Sequence, residues 1–212
     1  MPDIRAAFFD FGGVILSSPF EAFARYEAAN GLPDGCIRTL NATNPDTNAW
    51  AQLERGHVPF DEFCRLYEAE AASAGHAVDA RQVMALLSGD IRPAMVEAVR
   101  RCKQHLKTAC LTNNFVGFDE FPVEARANGR DSVLSLFDVI IESSKVGVRK
   151  PDPRFYEIAC EEVGVDPAEV VFLDDLGINL KPARDLGMTT IKVTDPNVAL
   201  AELEAVVGFP VR

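Results

Sequence analysis

Short, unbroken apolar runs recur along the chain, and each stops at a polar residue. The first, Ala6-Ala7-Phe8-Phe9, is too short for a helix and reads as a strand buried on both faces. It delivers Asp10 to its end, and Gly12-Gly13 then permit a tight turn where side chains would block a ligand's approach. Similar runs predict strands over 108–111, 139–141, 170–173 and 190–193. Thr112-Asn113-Asn114 ends the first of these and Asp174-Asp175 the third. The intervening spacing is helical over 93–103, around 133–137, from 153 to the stop at Gly164, up to Leu186 before Gly187, and over 196–207. Asp152 and Pro153 suit the cap and first residue of the third of these helices, whose Phe155, Ile158 and Ala159 face inward. A loop carrying glycine and charge fills the stretch up to about Arg130. Strands and helices alternating in this way predict a parallel sheet covered by helices on both faces, an α/β fold.

Residues 17–88 break that alternation. Phe20, Phe23 and Ala24 share one face of a helix over 20–30, which Gly31 stops. A second helix opens at Pro33 and ends near Leu40, and 41–48 reads as a loop. Trp50 and Leu53 belong to a short helix ending near Gly56. Phe60, Phe63, Cys64 and Tyr67 repeat at helical spacing, and Asp79 caps a last helix carrying Val83, Leu86 and Leu87. The stretch is an all-helical insertion after the first strand.

Composition adds limits. The 212 residues suffice for one domain with a modest insertion, and 48% apolar with 25% charged residues is ordinary for a globular chain. A net charge of −11 argues against nucleic acid or an anionic membrane as the main partner. Local donors and a metal still allow a small anion to bind. The five cysteines form no C-x-x-C pair and suit reduced thiols; with no basic-then-apolar leader and no spanning apolar run, the expectation is a soluble, cytoplasmic protein.

In an open parallel sheet, ligands bind beyond the carboxyl ends of the strands. Asp10, Thr112-Asn113 and Asp174-Asp175 all fall at such ends, and Lys150 lies in the loop before a helix. Together they offer carboxylates for a hard cation, a hydroxyl or amide for an oxyanion, and a fixed positive charge. The adjacent pair Asp174-Asp175 speaks most strongly for a cation, because two neighbouring carboxylates repel each other.

These motifs, in this order, resemble the haloacid dehalogenase superfamily of hydrolases. The likeness runs essentially from end to end and is strongest in VGVRKPDPRFYEIACEEVG and FLDDLGINLKPARDLGM. It implies a Rossmann-like three-layer α/β/α core over 1–16 and 89–212, with a helical cap over 17–88. Carried over by position, Asp10 matches the nucleophile that forms an aspartyl-phosphate. Asp10, Asp175 and the Gly12 carbonyl match the Mg²⁺ ligands, with Asp174 behind them or partly coordinating. Thr112 and Asn113 match the groups holding the phosphoryl oxygens, Lys150 the charge-offsetting lysine, and Asn179 a support for the metal-side loop. A carboxylate approaches an anionic phosphate only when a metal and a lysine screen the repulsion.

One departure stands out. Phosphatases of the superfamily usually carry an aspartate two residues after the first, as general acid and then base; here that place is Gly12. Such help is worth about 10²–10⁴ in rate, so the resemblance implies weak turnover of esters with poor leaving groups. Dehalogenases of the superfamily also lack this acid, but they need no Mg²⁺ and have no carboxylate pair, so Asp174-Asp175 favours phosphate over halide. The expectation is a Mg²⁺-dependent phosphatase acting on a small phosphomonoester. A catalytically weak binding or regulatory domain is the alternative. A homodimer or a partner protein that supplies the acid is compatible with the chain.

Overall fold

The computed structural model describes residues 3–115 and 129–212. The sheet has five parallel strands: β1 (Ala6–Phe9), β2 (Lys107–Thr112), β3 (Val139–Glu142), β4 (Val170–Asp174) and β5 (Thr189–Lys192). Their order is β3-β2-β1-β4-β5, so β1 sits at the centre with a neighbour from each direction of winding. The chain therefore reverses direction across the sheet at β1, where the ends of parallel strands leave a crevice.

Alternation along the strands divides the core into two layers. Ala7 and Phe9 of β1, Cys110 of β2, and Val171 and Leu173 of β4 face one apolar cluster. Ala6, Phe8, Ala109, Leu111, Val170 and Phe172 face the other. The central strands are the most apolar, β1 throughout and β4 up to Asp174, because both their sides are covered.

The helical segment between β1 and β2 comprises α1 (Phe20–Ala29), α2 (Cys36–Ala42), α3 (Ala49–Glu54), α4 (Phe60–Ser73) and α5 (Ala80–Ala85). It closes a third apolar cluster of its own, built on Phe23, Ile37, Leu53, Phe63, Tyr67 and Val83. Its two connections to the sheet run side by side. Leu16 and Ile91 form an antiparallel bridge, the Ser17 N–H donates to the Asp90 carbonyl (2.8 Å), and the Arg92 N–H donates to that of Ile15 (2.8 Å).

On the first face of the sheet lie α6 (Pro93–Cys102), then α7 (Arg130–Leu134), packing through Val99 and Val133. A short α8 (Ser143–Val146) follows β3, and α9 (Pro153–Val163) and α10 (Gly177–Asp185) cover the opposite face with Phe155, Tyr156 and Leu180. The last helix, α11 (Pro196–Val207), returns to the first face through Leu200 and Leu203. The result is the three-layer α/β/α arrangement expected from the pattern.

Some boundaries differ from the sequence reading. α7 begins at Arg130, three residues before the expected start, because Gly129 takes a left-handed conformation (φ 70°) and opens the helix there. α5 stops at Ala85, so Leu86 and Leu87 pack from the turn beyond it. α8 was not foreseen. The loop expected before Arg130 lies mostly outside the described residues. The five cysteines are buried free thiols. Among the described residues, no helix is long and apolar enough to cross a membrane.

Candidate active site at the sheet switch point

Strand register brings the acids together. Phe9 pairs with Leu173, and the Asp10 N–H extends the ladder to the Leu173 carbonyl (2.9 Å). Asp10 therefore leaves β1 level with Asp174, the last residue of β4. Asp10, Asp174 and Asp175 each place a carboxylate oxygen so that the three lie within 4.8 Å of one another. Like charges this close need cations.

Lys150 is the nearest cation. Its Nζ, almost fully buried, lies 2.9 Å from Asp10 Oδ1 and 2.7 Å from Asp174 Oδ2. It also sits 5.6 Å from the centroid of the Phe172 ring. Burial alone would lower the lysine pKa, but the Asp10 and Asp174 carboxylates raise it above its ordinary value. Removing one partner of so buried an ion pair typically costs about 3–5 kcal/mol.

The three aspartates have different duties. Asp10 Oδ1 accepts from the Phe11 N–H (2.7 Å) as well as from Lys150. Asp174 has both oxygens engaged: Oδ1 accepts from the Leu176 N–H (2.8 Å), Oδ2 from Lys150, and Asn179 Nδ2 stands 3.1 Å from each. Asn179 is in turn fixed by the Tyr156 hydroxyl, which donates to its carbonyl (2.7 Å). Asp174 thus holds the lysine, whereas the half-buried Asp175 projects toward the turn after β1.

That turn is wide, running from Phe11 to Ile15 and closed by the Leu16 N–H donating to the Phe11 carbonyl (2.9 Å). Within it the two glycines differ. Gly12 has φ −71° and ψ 134°, ordinary for any residue, and a Cβ built there meets nothing within 4 Å. Gly13 has φ 73°, and a Cβ there would lie 2.2 Å from Asp175 Oδ2. The bare Cα of Gly13 is what lets the Asp175 carboxylate approach the turn. Arg92 Nη1 donates to the Gly13 carbonyl (2.6 Å) and fixes the turn from behind.

Burial dominates the electrostatics of the acids. Burial raises the Asp10 pKa to about 8; Asp174 and Asp175 add to the rise while Lys150 opposes it. Burial and Asp174 raise Asp175 to about 6, against Lys150 and Arg92. Arg130, stacked 4.6 Å from the Phe11 ring centroid, contributes a further positive charge near Asp10. A site whose acids are held up in this way gains from a bound cation.

Thr112 ends β2 and is nearly buried. The Asn113 side chain is already occupied: Nδ2 donates to the Lys150 carbonyl (3.0 Å) and Oδ1 accepts from the Lys150 N–H (2.9 Å). Asn113 thereby sets the backbone that carries the lysine. Every site residue read from the sequence falls at this end of the sheet. Sequence reasoning missed the distinct role of Gly13, the brace from Arg92, and a carboxylate on α3, Glu54, which reaches Asn113. The Gly-Gly doublet was the only signal for the first; nothing local marks the others.

Residues 4–187 match the profile of the haloacid dehalogenase-like hydrolases. The chain belongs to that family. It is 35% identical over 221 residues to bifunctional epoxide hydrolase 2 of Sus scrofa, covering 97% of this chain and 39% of that protein. It is 39% identical over 164 residues to a phosphatase of Mycobacterium tuberculosis, covering 75% of this chain and 65% of the other. The chain thus spans less than two thirds of the length of either curated relative. Among solved structures it resembles a HAD family enzyme of Bacteroides thetaiotaomicron in complex with magnesium and inorganic phosphate. There the TM-score is 0.58 at 22% identity, covering 89% of this chain and 93% of that one, a likeness of fold.

Proposed function

We propose that this HAD-like hydrolase is a Mg²⁺-dependent phosphatase acting on a small phosphomonoester through an aspartyl-phosphate on Asp10. The observation that carries the reading is the cluster of Asp10, Asp174 and Asp175 around a single buried ammonium. The donors fit magnesium: they are hard oxygens, and the missing Cβ of Gly13 lets the Asp175 carboxylate come up against the turn that carries the Gly12 carbonyl. Asp10, Asp175 and the Gly12 carbonyl would hold the ion, with Asp174 kept behind them by Lys150 and Asn179. When bound, magnesium offsets the charge on the nucleophile and on the phosphoryl oxygens.

The remaining work belongs to the chain. Lys150 opposes the rise in the Asp10 pKa, so that with the ion bound the two cations together favour the carboxylate, and it screens the approach of that carboxylate to the phosphate. The Thr112 hydroxyl and the Asn113 backbone N–H are suited to hold phosphoryl oxygens, since the Asn113 amide is committed to Lys150. Asp10 attacks phosphorus, the P–O bond to the leaving group breaks, and the departing oxygen takes its proton from water. A second water then attacks the aspartyl-phosphate, releasing inorganic phosphate and restoring Asp10. With Gly12 in place of an acid, good leaving groups are favoured. Residues 17–88 act as a cap over this site. The relative named a phosphatase supports phosphate as the group transferred.

Turnover of p-nitrophenyl phosphate tests the reading. It should require Mg²⁺ and vanish in Asp10→Asn. Absence of any metal-dependent turnover by the wild type would leave a binding or regulatory role instead.

A further inference from the structure

The helical segment and the sheet meet at Glu54, the last residue of α3. Its carboxylate is about nine-tenths buried and collects three donors. Trp50 Nε1 donates to Oε1 (2.9 Å), while Oε2 pairs with Arg149 Nη1 and lies 3.4 Å from Asn113 Nδ2. Arg149 also donates through Nη2 to the Pro45 carbonyl (2.8 Å), so the guanidinium is gripped by the helical segment at two points. Two residues after Glu54, Gly56 takes φ 70°, and a Cβ there would lie 2.8 Å from the Ser144 carbonyl. The approach of this corner to the sheet is therefore close and requires glycine.

Both core partners of Glu54 are tied to one backbone unit. Arg149 precedes Lys150 in the chain, and the Asn113 side chain brackets Lys150 by accepting its N–H and donating to its carbonyl. Lys150 Nζ in turn touches Asp10. A buried charge-assisted bond is strong and directional, so losing it releases the groups it orients.

The geometry points to Glu54 as a positioning residue: seated on Asn113 and Arg149, it fixes the backbone that presents Lys150 to Asp10, and so couples seating of the cap to the charge at the reaction centre. Glu54 has no contact with the reacting atoms in this role. The inference rests on the phosphatase reading for its catalytic consequence, but its structural content is independent of that reading.

The experiment uses the full chain, Glu54→Gln and Arg149→Met, with the double variant. Glu54→Gln keeps an acceptor for Trp50 but removes the charge and sets an NH2 donor where Oε2 accepted from Arg149 and Asn113. Two readouts are taken. The first is hydrogen exchange at the Lys150 amide, expected to quicken by at least about tenfold in each single variant. The second is turnover of p-nitrophenyl phosphate with Mg²⁺. Here kcat should drop by about tenfold or more with KM little changed, and the double variant should lose no more than about twofold beyond either single. Lys150 exchange at the wild-type rate overturns the inference, as does a loss confined to KM or full additivity of the two losses. If Glu54→Gln does not fold, Arg149→Met carries the same comparison from the core side. A wild type without turnover removes the phosphatase reading, while amide exchange still decides the role of Glu54.

Discussion

Replacing Gly13 by alanine tests whether Asp175 sits where a metal needs it. The new Cβ would lie 2.2 Å from Asp175 Oδ2, 2.3 Å from its Cγ and 2.8 Å from Oδ1. Carbon needs about 3.5 Å from a non-bonded neighbour, so the carboxylate must retreat by more than about 1 Å. Alanine must also hold φ 73°, which costs roughly 1–2 kcal/mol. At about 2–4 °C per kcal/mol for a chain of this size, the melting temperature should fall by about 2–8 °C. The catalytic loss should be far larger than that suggests, because a displacement of about 1 Å can cost about 10²-fold in rate. Mg²⁺ affinity should weaken by about 10–100-fold, the usual effect of disturbing a ligand's support. Calorimetry with Mg²⁺ and steady-state turnover of p-nitrophenyl phosphate measure both. Gly12→Ala is the control: φ −71° and an open Cβ position mean that it should bind metal and melt as the wild type does. If Gly13→Ala binds Mg²⁺ with unchanged affinity, Asp175 is not a ligand and the assignment of the metal site fails.

Gly12→Asp should fold, since the backbone there is ordinary and the space is open. It should speed hydrolysis of an alkyl phosphate by at least about tenfold while barely changing that of an aryl phosphate; equal effects on both would show that proton donation is not limiting. Stability of the metal-free protein should depend on pH in a definite sense. Asp10 is raised from 3.8 to about 8 and Asp175 from 3.8 to about 6, so over that range the folded state binds more protons than the unfolded one. Their contribution is complete below about pH 4 and is lost as pH climbs to about 8, so the melting temperature should fall over that interval. Saturating Mg²⁺ should flatten the trend, and a metal-free melting temperature that rises from pH 5 to 8 would contradict these ionisations.

What the sequence makes legible follows from how local each cause is. A four-residue apolar run buried on both faces has one reading, so β1 and the position of Asp10 at its end are visible without a structure. Asp174-Asp175 after Val-Val-Phe-Leu is visible for the same reason, and so is the Asp152 cap, whose side chain accepts from the Arg154 N–H two residues on. The difference between Gly12 and Gly13 is not visible. Both permit a turn, and only the position of Asp175, more than 160 residues away along the chain, decides which of them must be bare. Likewise the sequence offers Lys150 as a positive charge in the loop before a helix, but its burial between two carboxylates that outweigh the cost follows only when the sheet order brings the ends of β1 and β4 together. Asn113 shows the limit most clearly. The sequence places a polar amide at a strand end, which suits an oxyanion. The fold spends that amide on the backbone of Lys150, because an unpaired loop carrying a buried charge would leave its own N–H and C=O without partners. Motif position tells which residues gather at the crevice; the division of labour among them is set by hydrogen bonds that close only when distant strands pair.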